Sequence, residues 1–243
     1  MSNWRRNPVW GLATILLMGL NVALACLTIP LTSIVLGRQR AFLGIARLWC
    51  RVAWAVGGIR FRILGWDELP EDIRSGRQPV VFMSNHQSHL DPPFLIAELG
   101  VYTVFIAKRE LKWVPLLGQL IWFMGFIFIN RQNRSKAIES LKDAARRIQQ
   151  GQSVVIFPEG TRTQDGRIQE FKKGGFALAQ DAGVPIVPIG ISGGFERLPK
   201  GSRRILPGDY TVRIGLPVAT VGASREAVMA TVRERITALA EGR

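Results

Sequence analysis

The chain has 243 residues, of which 47% are hydrophobic, and it carries a formal net charge of +14 at pH 7. Its length suits one globular domain with an appendage or two small domains, and its charge favours an anionic partner such as nucleic acid, a phosphorylated substrate or an anionic membrane. The two cysteines, Cys26 and Cys50, are too few for a disulfide framework or a cysteine-rich zinc cluster.

The N-terminal part of the chain is both basic and apolar. No Asp or Glu precedes Asp67, and tryptophans and long apolar runs separate the cations. This mixture is typical of a membrane interface, whereas a nucleic-acid-binding arm would be polar throughout. The sequence therefore predicts a membrane partner and no nucleic acid. The arginines before Asp67 are Arg5, Arg6, Arg38, Arg40, Arg47, Arg51, Arg60 and Arg62.

A segment without charged residues extends from Val9 to Leu36. As one helix it would be about 42 Å long, against a hydrocarbon core of about 30 Å. Pro30 is expected to break the run, which leaves a helix near residues 9–28 that either spans the bilayer or forms half of a hairpin in one leaflet. A cleaved signal peptide is the alternative, and the continuation of the apolar run to Leu36 disfavours it.

Residues 41–56 have helical periodicity, with Arg40, Arg47 and Arg51 on one narrow stripe. The pattern predicts an interfacial helix, and a core-packed helix with an exposed basic edge is the alternative. Residues 1–57 are therefore predicted to form membrane-embedded and interfacial helices, followed by a second domain over residues 58–243. If the apolar segment spans the bilayer, the excess of arginine after it predicts that this domain lies on the cytoplasmic face of the cell membrane.

From Ile59 onward, β-rich runs alternate with helical stretches, which predicts an α/β domain with a largely parallel mixed sheet flanked by helices. The predicted strands are Ile59–Leu64, Val80–Ser84, Tyr102–Ile106, Gly125–Ile129, Ser153–Phe157, Ile186–Ile191 and Tyr210–Ile214. The predicted helices are Pro92–Leu99, Val114–Met124, Ser135–Gln149, Gly174–Asp181 and Arg225–Ala240.

Polar segments follow four of these strands, at Asn85, Asn130, Pro158 and Ser192. Ligands of open α/β sheets bind outside the carboxyl ends of the strands. The four segments are therefore expected to form one site.

The first of these segments contains the only two histidines of the chain, His86 and His89, followed by Asp91. Histidine is the side chain suited to proton transfer near neutral pH. Asp91 either orients His86 or caps the helix that starts with Pro92. No nucleophile elbow or phosphate-binding loop motif is present, so direct attack by a substrate hydroxyl activated by His86 is the simpler chemistry. A metal-dependent hydrolase that uses His86, His89 and Asp91 is an alternative.

The other segments supply cations and hydrogen-bond donors. Arg131 and Arg162 are suited to bidentate phosphate binding, and Lys108 adds positive charge. Each of these cations is otherwise a solvated surface charge. Glu159 either anchors one of the arginines, binds a substrate hydroxyl or is an ordinary loop acid.

Four blocks in this order resemble the sequence blocks of the glycerolipid acyltransferases, and they are most similar to the 1-acyl-sn-glycerol-3-phosphate acyltransferases. The blocks are Asn85-His-Gln-Ser-His-Leu-Asp91, Gly125-Phe-Ile-Phe-Ile-Asn-Arg131, Phe157-Pro-Glu-Gly-Thr-Arg-Thr163 and Val184-Pro-Ile-Val-Pro-Ile189. Lys108-Arg-Glu-Leu111 and Phe171-Lys-Lys-Gly-Gly175 are supporting matches, and the resemblance covers roughly residues 60–215. His89 departs from the pattern, because many relatives have an aromatic residue there.

The resemblance implies transfer of a fatty acyl group from acyl-CoA or acyl-acyl carrier protein to the sn-2 hydroxyl of lysophosphatidate, without a metal or any cofactor beyond this co-substrate. It implies that His86 is the general base and Asp91 its orienting partner. The partners implied are the membrane lipid acceptor, the acyl donor and an anionic membrane surface. Another lysolipid, such as lyso-ornithine lipid, is an alternative acceptor. The implied substrate-binding residues are Lys108, Arg131, Glu159, Gly160, Thr161 and Arg162.

Overall fold

The computed structural model describes residues 8–130, 133–202 and 204–243. The helices are α1 (Pro8–Leu36), α2 (Arg38–Gly57), α3 (Glu71–Arg74), α4 (Asp91–Glu98), α5 (Leu117–Phe123), α6 (Arg134–Gln149), α7 (Lys173–Ala182), α8 (Gly194–Arg197) and α9 (Arg225–Glu241). The strands are β1 (Ile59–Leu64), β2 (Val81–Ser84), β3 (Thr103–Lys108), β4 (Ile127–Ile129), β5 (Ser153–Ile156), β6 (Ile186–Ser192) and β7 (Gly208–Ile214).

The seven strands of the described chain form one sheet in the order β1-β7-β6-β2-β5-β3-β4. Strands β2 to β6 run parallel to one another, whereas β7 is antiparallel to β6 and parallel to β1. Strands β2 and β5 are buried at every position, as expected when helices cover both faces of a parallel sheet. The prediction of a largely parallel mixed sheet flanked by helices is confirmed.

Helix α1 continues through Pro30 to Leu36, so the expected break at Pro30 is wrong. Proline removes one backbone hydrogen bond from a helix interior, but packing of the helix can offset this loss. Helix α1 packs along α2, where Asn21 Nδ2 donates to Trp49 O at 2.9 Å and Trp49 Nε1 donates to Thr28 Oγ1 at 3.4 Å. These contacts lie on the N-terminal side of Pro30 and hold the apolar helix against its neighbour.

The cationic stripe of α2 is only partly covered by the α/β domain. Arg47 Nε donates to Ala97 O at 2.9 Å, and Arg51 Nε lies 3.5 Å from Glu98 Oε1, both at the end of α4. A helix C-terminus carries partial negative charge from its last carbonyls, which favours nearby arginines. Arg47 is therefore partly covered, whereas Arg40 and Arg51 are exposed, and the choice between an interfacial and a core-packed helix stays a prediction. The division at residue 57 stays a prediction.

The predicted helix Val114–Met124 is shorter in the structure. A 3₁₀ turn at Arg109–Trp113 comes first, and α5 begins only at Leu117. Between them Leu116 has φ +65°, and Leu117 N donates to Pro115 O at 2.8 Å, which closes a γ-turn. Pro115 and this turn delay the helix. The short helices α3 and α8 have four residues each and too little periodicity to be predicted.

Candidate active site

The loops after β2, β5 and β6 meet at one edge of the sheet, as predicted. Asn85 exchanges two hydrogen bonds with the backbone of Ile191, at 2.7 and 2.9 Å. Thr163 N donates to His86 O at 2.8 Å, and Gly194 N donates to Gln87 Oε1 at 2.9 Å. Because these bonds connect all three loops, the loop that contains His86 has a fixed position at the end of the sheet.

His86 and Asp91 form a hydrogen-bonded pair, with 2.8 Å between His86 Nδ1 and Asp91 Oδ2. The His86 side chain is 15% exposed and that of Asp91 is fully buried. The imidazole stacks on Phe157, with ring centroids 4.0 Å apart. A carboxylate only accepts hydrogen bonds, so in neutral His86 the proton is on Nδ1 and Nε2 is the basic nitrogen.

Asp91 orients the loop before it and does not cap α4. It is the first residue of α4, and Leu90 occupies the N-cap position. Asp91 Oδ2 also accepts hydrogen bonds from Gln87 N at 2.7 Å and Ser88 N at 2.8 Å. The pairing with His86 and the turn of the chain therefore depend on the same carboxylate oxygen.

The second oxygen of Asp91 is bound by Tyr210, which the sequence analysis did not identify. Tyr210 Oη donates to Asp91 Oδ1 at 2.6 Å. Burial, together with the charge and hydrogen bond of Asp91, raises the pKa of Tyr210 well above its ordinary value. Strand β7 runs opposite to β6, with Thr211 paired to Ser192, and this reversal brings its beginning to the catalytic edge. No local sequence signal marks Tyr210.

Glu159 is 3% exposed and contacts the backbone on two sides. Its Oε1 accepts from His86 N at 2.6 Å, and its Oε2 accepts from Gln169 N at 2.8 Å. Burial raises the pKa of Glu159 to about 7, although the two backbone N–H groups act to lower it. The geometry makes Glu159 an anchor of the His86 loop, and a direct contact with a substrate stays a prediction.

Cations surround the loop after β5. Gly160 has φ +72°, and a Cβ at this position would lie 2.9 Å from Lys172 Nζ. Lys200 Nζ lies 3.5 Å from Thr161 Oγ1. Gly160 and Thr161 were predicted from the sequence as substrate-binding residues, Lys172 was part of a supporting block without an assigned role, and Lys200 was not predicted. Lys200 lies in an irregular loop, so no strand end marked it.

Two other predicted cations lie at this edge, and a third is not described. Arg162 is half-buried, and its pKa is lowered by burial although the charge of Asp91 raises it. The pKa of His89 is lowered by burial and by the charges of Arg162 and His86. Lys108 is exposed at the end of β3, with its Nζ 3.7 Å from Glu110 Oε2. Arg131 lies outside the described residues.

An apolar cavity of about 400 Å³ lies between the two N-terminal helices and the active-site loop. It is large enough for several methylene groups of a lipid chain. The cavity lining consists of Asn21, Val22, Trp49, Cys50, Ala53, Trp54, His89, Leu90, Pro93, Phe94, Leu198, Ser202 and Ile205.

Across the described residues, no group of three or more His, Cys, Asp or Glu side chains is placed to hold a metal ion.

Known proteins with similar sequences and structures are acyltransferases. The sequence model of a family described as acyltransferase matches residues 60–192. The 1-acyl-sn-glycerol-3-phosphate acyltransferase alpha of Mus musculus is 39% identical over 209 residues, which cover 85% of this chain and 71% of that protein. The chloroplastic 1-acyl-sn-glycerol-3-phosphate acyltransferase BAT2 of Brassica napus is 37% identical over 72% of this chain and 49% of that protein. The crystal structure of the 1-acyl-sn-glycerophosphate (LPA) acyltransferase PlsC from Thermotoga maritima aligns over 98% of both chains, with a TM-score of 0.80 and 25% identity.

Proposed function

The chain belongs to the acyltransferase family, and from this we propose that it is a 1-acyl-sn-glycerol-3-phosphate acyltransferase. It transfers a fatty acyl group from acyl-CoA or acyl-acyl carrier protein to the sn-2 hydroxyl of lysophosphatidate and produces phosphatidate. The observation that carries this proposal is the His86–Asp91 pair, 2.8 Å apart beside a cationic loop at the carboxyl ends of the strands.

The reaction proceeds without an acyl-enzyme. His86 Nε2 removes the proton of the acceptor hydroxyl while that oxygen attacks the thioester carbonyl. The C–S bond then breaks, and the imidazolium returns the proton to the leaving thiolate. Asp91 stabilises the imidazolium through Nδ1–H, and Tyr210 and two backbone amides hold Asp91 in place. Proton transfer of this kind contributes about 10²–10⁴-fold.

The acceptor phosphate binds at the loop that contains Gly160 and Thr161. Arg162 provides a planar fork of donors, and Lys172 and Lys200 lie beside the loop as point charges. A phosphate bound here would lie close to His86, because Thr163 N is bonded to His86 O. These contacts support a phosphorylated acceptor over an uncharged one.

The apolar parts of the substrates bind towards the N-terminal helices. The apolar cavity reaches from His89 and Leu90 to Asn21 and Trp49. Helix α1 contains one stretch, Gly19–Leu36, that is long and apolar enough to cross a membrane, and most of it faces away from the rest of the chain. This surface supports membrane attachment in the cell membrane, with the catalytic domain on its cytoplasmic face, where the lysolipid acceptor resides.

A thiol-release assay with the purified full chain tests the proposal. With acyl-CoA or acyl-acyl carrier protein as donor and lysophosphatidate as acceptor, we expect free thiol and phosphatidate in equal amounts. His86→Ala should lower turnover by about 10²–10⁴-fold. His89→Trp is the matched control and should retain near-normal turnover. Near-normal turnover in His86→Ala, or equal losses in both variants, contradicts the assignment of the base.

The alternatives are separated by substrate and by metal. Replacing lysophosphatidate with lyso-ornithine lipid should abolish thiol release, because the phosphate is missing from the cationic loop. Faster release with lyso-ornithine lipid would identify that lipid as the acceptor. Chelator should leave turnover unchanged, whereas loss of activity that added zinc restores would indicate the metal-dependent alternative.

A further inference from the structure

We propose that residues 109–123, called the 109–123 segment, form a second membrane contact beside α1 and bind an anionic bilayer surface. The proposal goes beyond the proposed function, and its test does not require activity. Large apolar side chains point into solvent along this segment: Trp113 is 75% exposed and Trp122 is 63% exposed. Other exposed apolar residues of the segment are Leu111, Val114 and Leu116. Exposed apolar groups at this density mark an interaction surface.

The backbone of the segment holds these side chains outward. Leu116 has φ +65° and is half exposed, in the γ-turn closed between Pro115 and Leu117. Among the described residues, it is the only non-glycine residue with a positive φ. A non-glycine residue at this positive φ is strained, and the half-exposed Leu116 side chain is only partly buried in the protein. The turn therefore presents Leu116 to an external apolar environment.

The segment is continuous with the apolar surface of α1. Helix α5 packs against α1, and Arg38 Nη1 donates to Phe123 O at 3.4 Å, so the end of α5 lies beside the connection between α1 and α2. Close to that connection, Ile34 and Val35 are 83% and 84% exposed. Trp122 thus lies near the most exposed apolar part of the N-terminal helices, and a bilayer that covers α1 would also reach it.

The charge of this region favours a bilayer with anionic lipids. Arg109 and Lys112 are exposed within the segment, and Arg38 and Arg40 are exposed at its α2 side. Glu110 is the single acid of the segment, and it pairs with the neighbouring Lys108. Tryptophan beside arginine and lysine is the composition of a membrane interface, where rings lie at the headgroup level and cations contact lipid phosphates.

The position of the segment gives the contact a role in catalysis. The segment begins where β3 ends, at the same edge of the sheet as His86. Contact through α1 alone would let the catalytic domain tilt on the membrane. A second contact at the end of β3 would hold the cationic loop facing the leaflet that contains the acceptor.

Nitroxide accessibility in the full-length protein tests the proposal. Labels are placed by Trp113→Cys and by Trp122→Cys in a chain that carries Cys26→Ala and Cys50→Ser, reconstituted in vesicles of phosphatidylcholine and phosphatidylglycerol. Val221→Cys is the matched control, because Val221 is an apolar residue that is 73% exposed in a loop before α9. Circular dichroism checks that each labelled protein is folded.

We expect the labels at 113 and 122 to collide more often with oxygen than with an aqueous nickel chelate, and the label at 221 to show the reverse. Nickel accessibility at 113 and 122 equal to that at 221 would overturn the proposal. Low accessibility to both reagents would also overturn it, because the surface would then be covered by a second copy of the chain. Neither result depends on which lipid the enzyme acylates.

Discussion

Removal of one hydroxyl group, in Tyr210→Phe, tests how far catalysis depends on the position of Asp91. The ring of Tyr210 is fully buried and packs on Phe94 and Phe61, with centroids 4.3 and 5.9 Å away, and phenylalanine preserves these contacts. The variant loses only the 2.6 Å hydrogen bond from Oη to Asp91 Oδ1.

A hydrogen bond to a charged group stabilises a fold by about 1.5–3 kcal/mol. Three donors to Asp91 Oδ2 remain in the variant, so we assign about half of this loss to the transition state. The expected fall in kcat is then about tenfold, since about 1.4 kcal/mol corresponds to a factor of ten. The KM values should be unchanged, because Tyr210 does not contact the cationic loop.

A matched tyrosine variant separates the positioning of Asp91 from general stability. Tyr102→Phe is the control, because Tyr102 is the other tyrosine and its Oη donates to Met124 O at 2.5 Å, outside the site. Equal kcat losses in both variants would refute the positioning argument.

Three further predictions concern the surrounding polar groups. The pKa of Glu159 is about 7 in the folded protein, compared with its ordinary value of 4.5. The folded state therefore binds more protons than the unfolded state between these pH values, and the apparent Tm in detergent should fall as the pH rises from 4.5 towards 7. The stability lost over that range is roughly 3 kcal/mol, and Glu159→Gln should remove the fall that Glu159 causes. A fall of the same size in Glu159→Gln and in the wild type contradicts the reasoning. Arg162→Ala should raise the KM for lysophosphatidate by more than about tenfold, because one charge-assisted contact with the phosphate is lost, and should leave the KM for the acyl donor unchanged. An unchanged KM for lysophosphatidate would mean that the phosphate binds elsewhere. Lys200→Ala should raise the KM for lysophosphatidate by a smaller factor. Lys142→Ala, at an exposed position of α6, is the control and should leave this KM unchanged. Equal effects of the two substitutions would indicate that only the overall positive charge matters.

The strands and the clustering of the catalytic loops were predictable because both depend on local composition. β-branched and apolar runs mark buried strands, and parallel strands bring their carboxyl ends to one edge. This reasoning placed His86, Glu159 and Arg162 together. Lys108, predicted to add positive charge but not by its place at a strand end, lies at the same edge, at the end of β3.

The remaining features depend on long-range packing that a single sequence does not encode locally. Strand β7 reverses because of its pairing with β6, and this reversal alone brings Tyr210 to Asp91. Lys200 reaches Thr161 from a loop without secondary structure. Pro30 stays within α1 because α2 supports that helix, and Arg47 faces inward because α4 ends beside it. In each case a tertiary neighbour overrides the local preference.

Helix α4 has eight residues and connects α2 to the candidate active site. Arg47 and Arg51 contact the last turn of α4, and Asp91 is the first residue of this helix. Trp54 of α2 also packs edge-on against Phe94 of α4, with ring centroids 4.7 Å apart. Removing the N-terminal helices to obtain a water-soluble fragment would therefore remove the contacts that hold α4, the helix that positions the Asp91 carboxylate beside the His86 imidazole. The contact between α2 and α4 thus couples the N-terminal helices to the position of Asp91, and we expect a change in one to disturb the other.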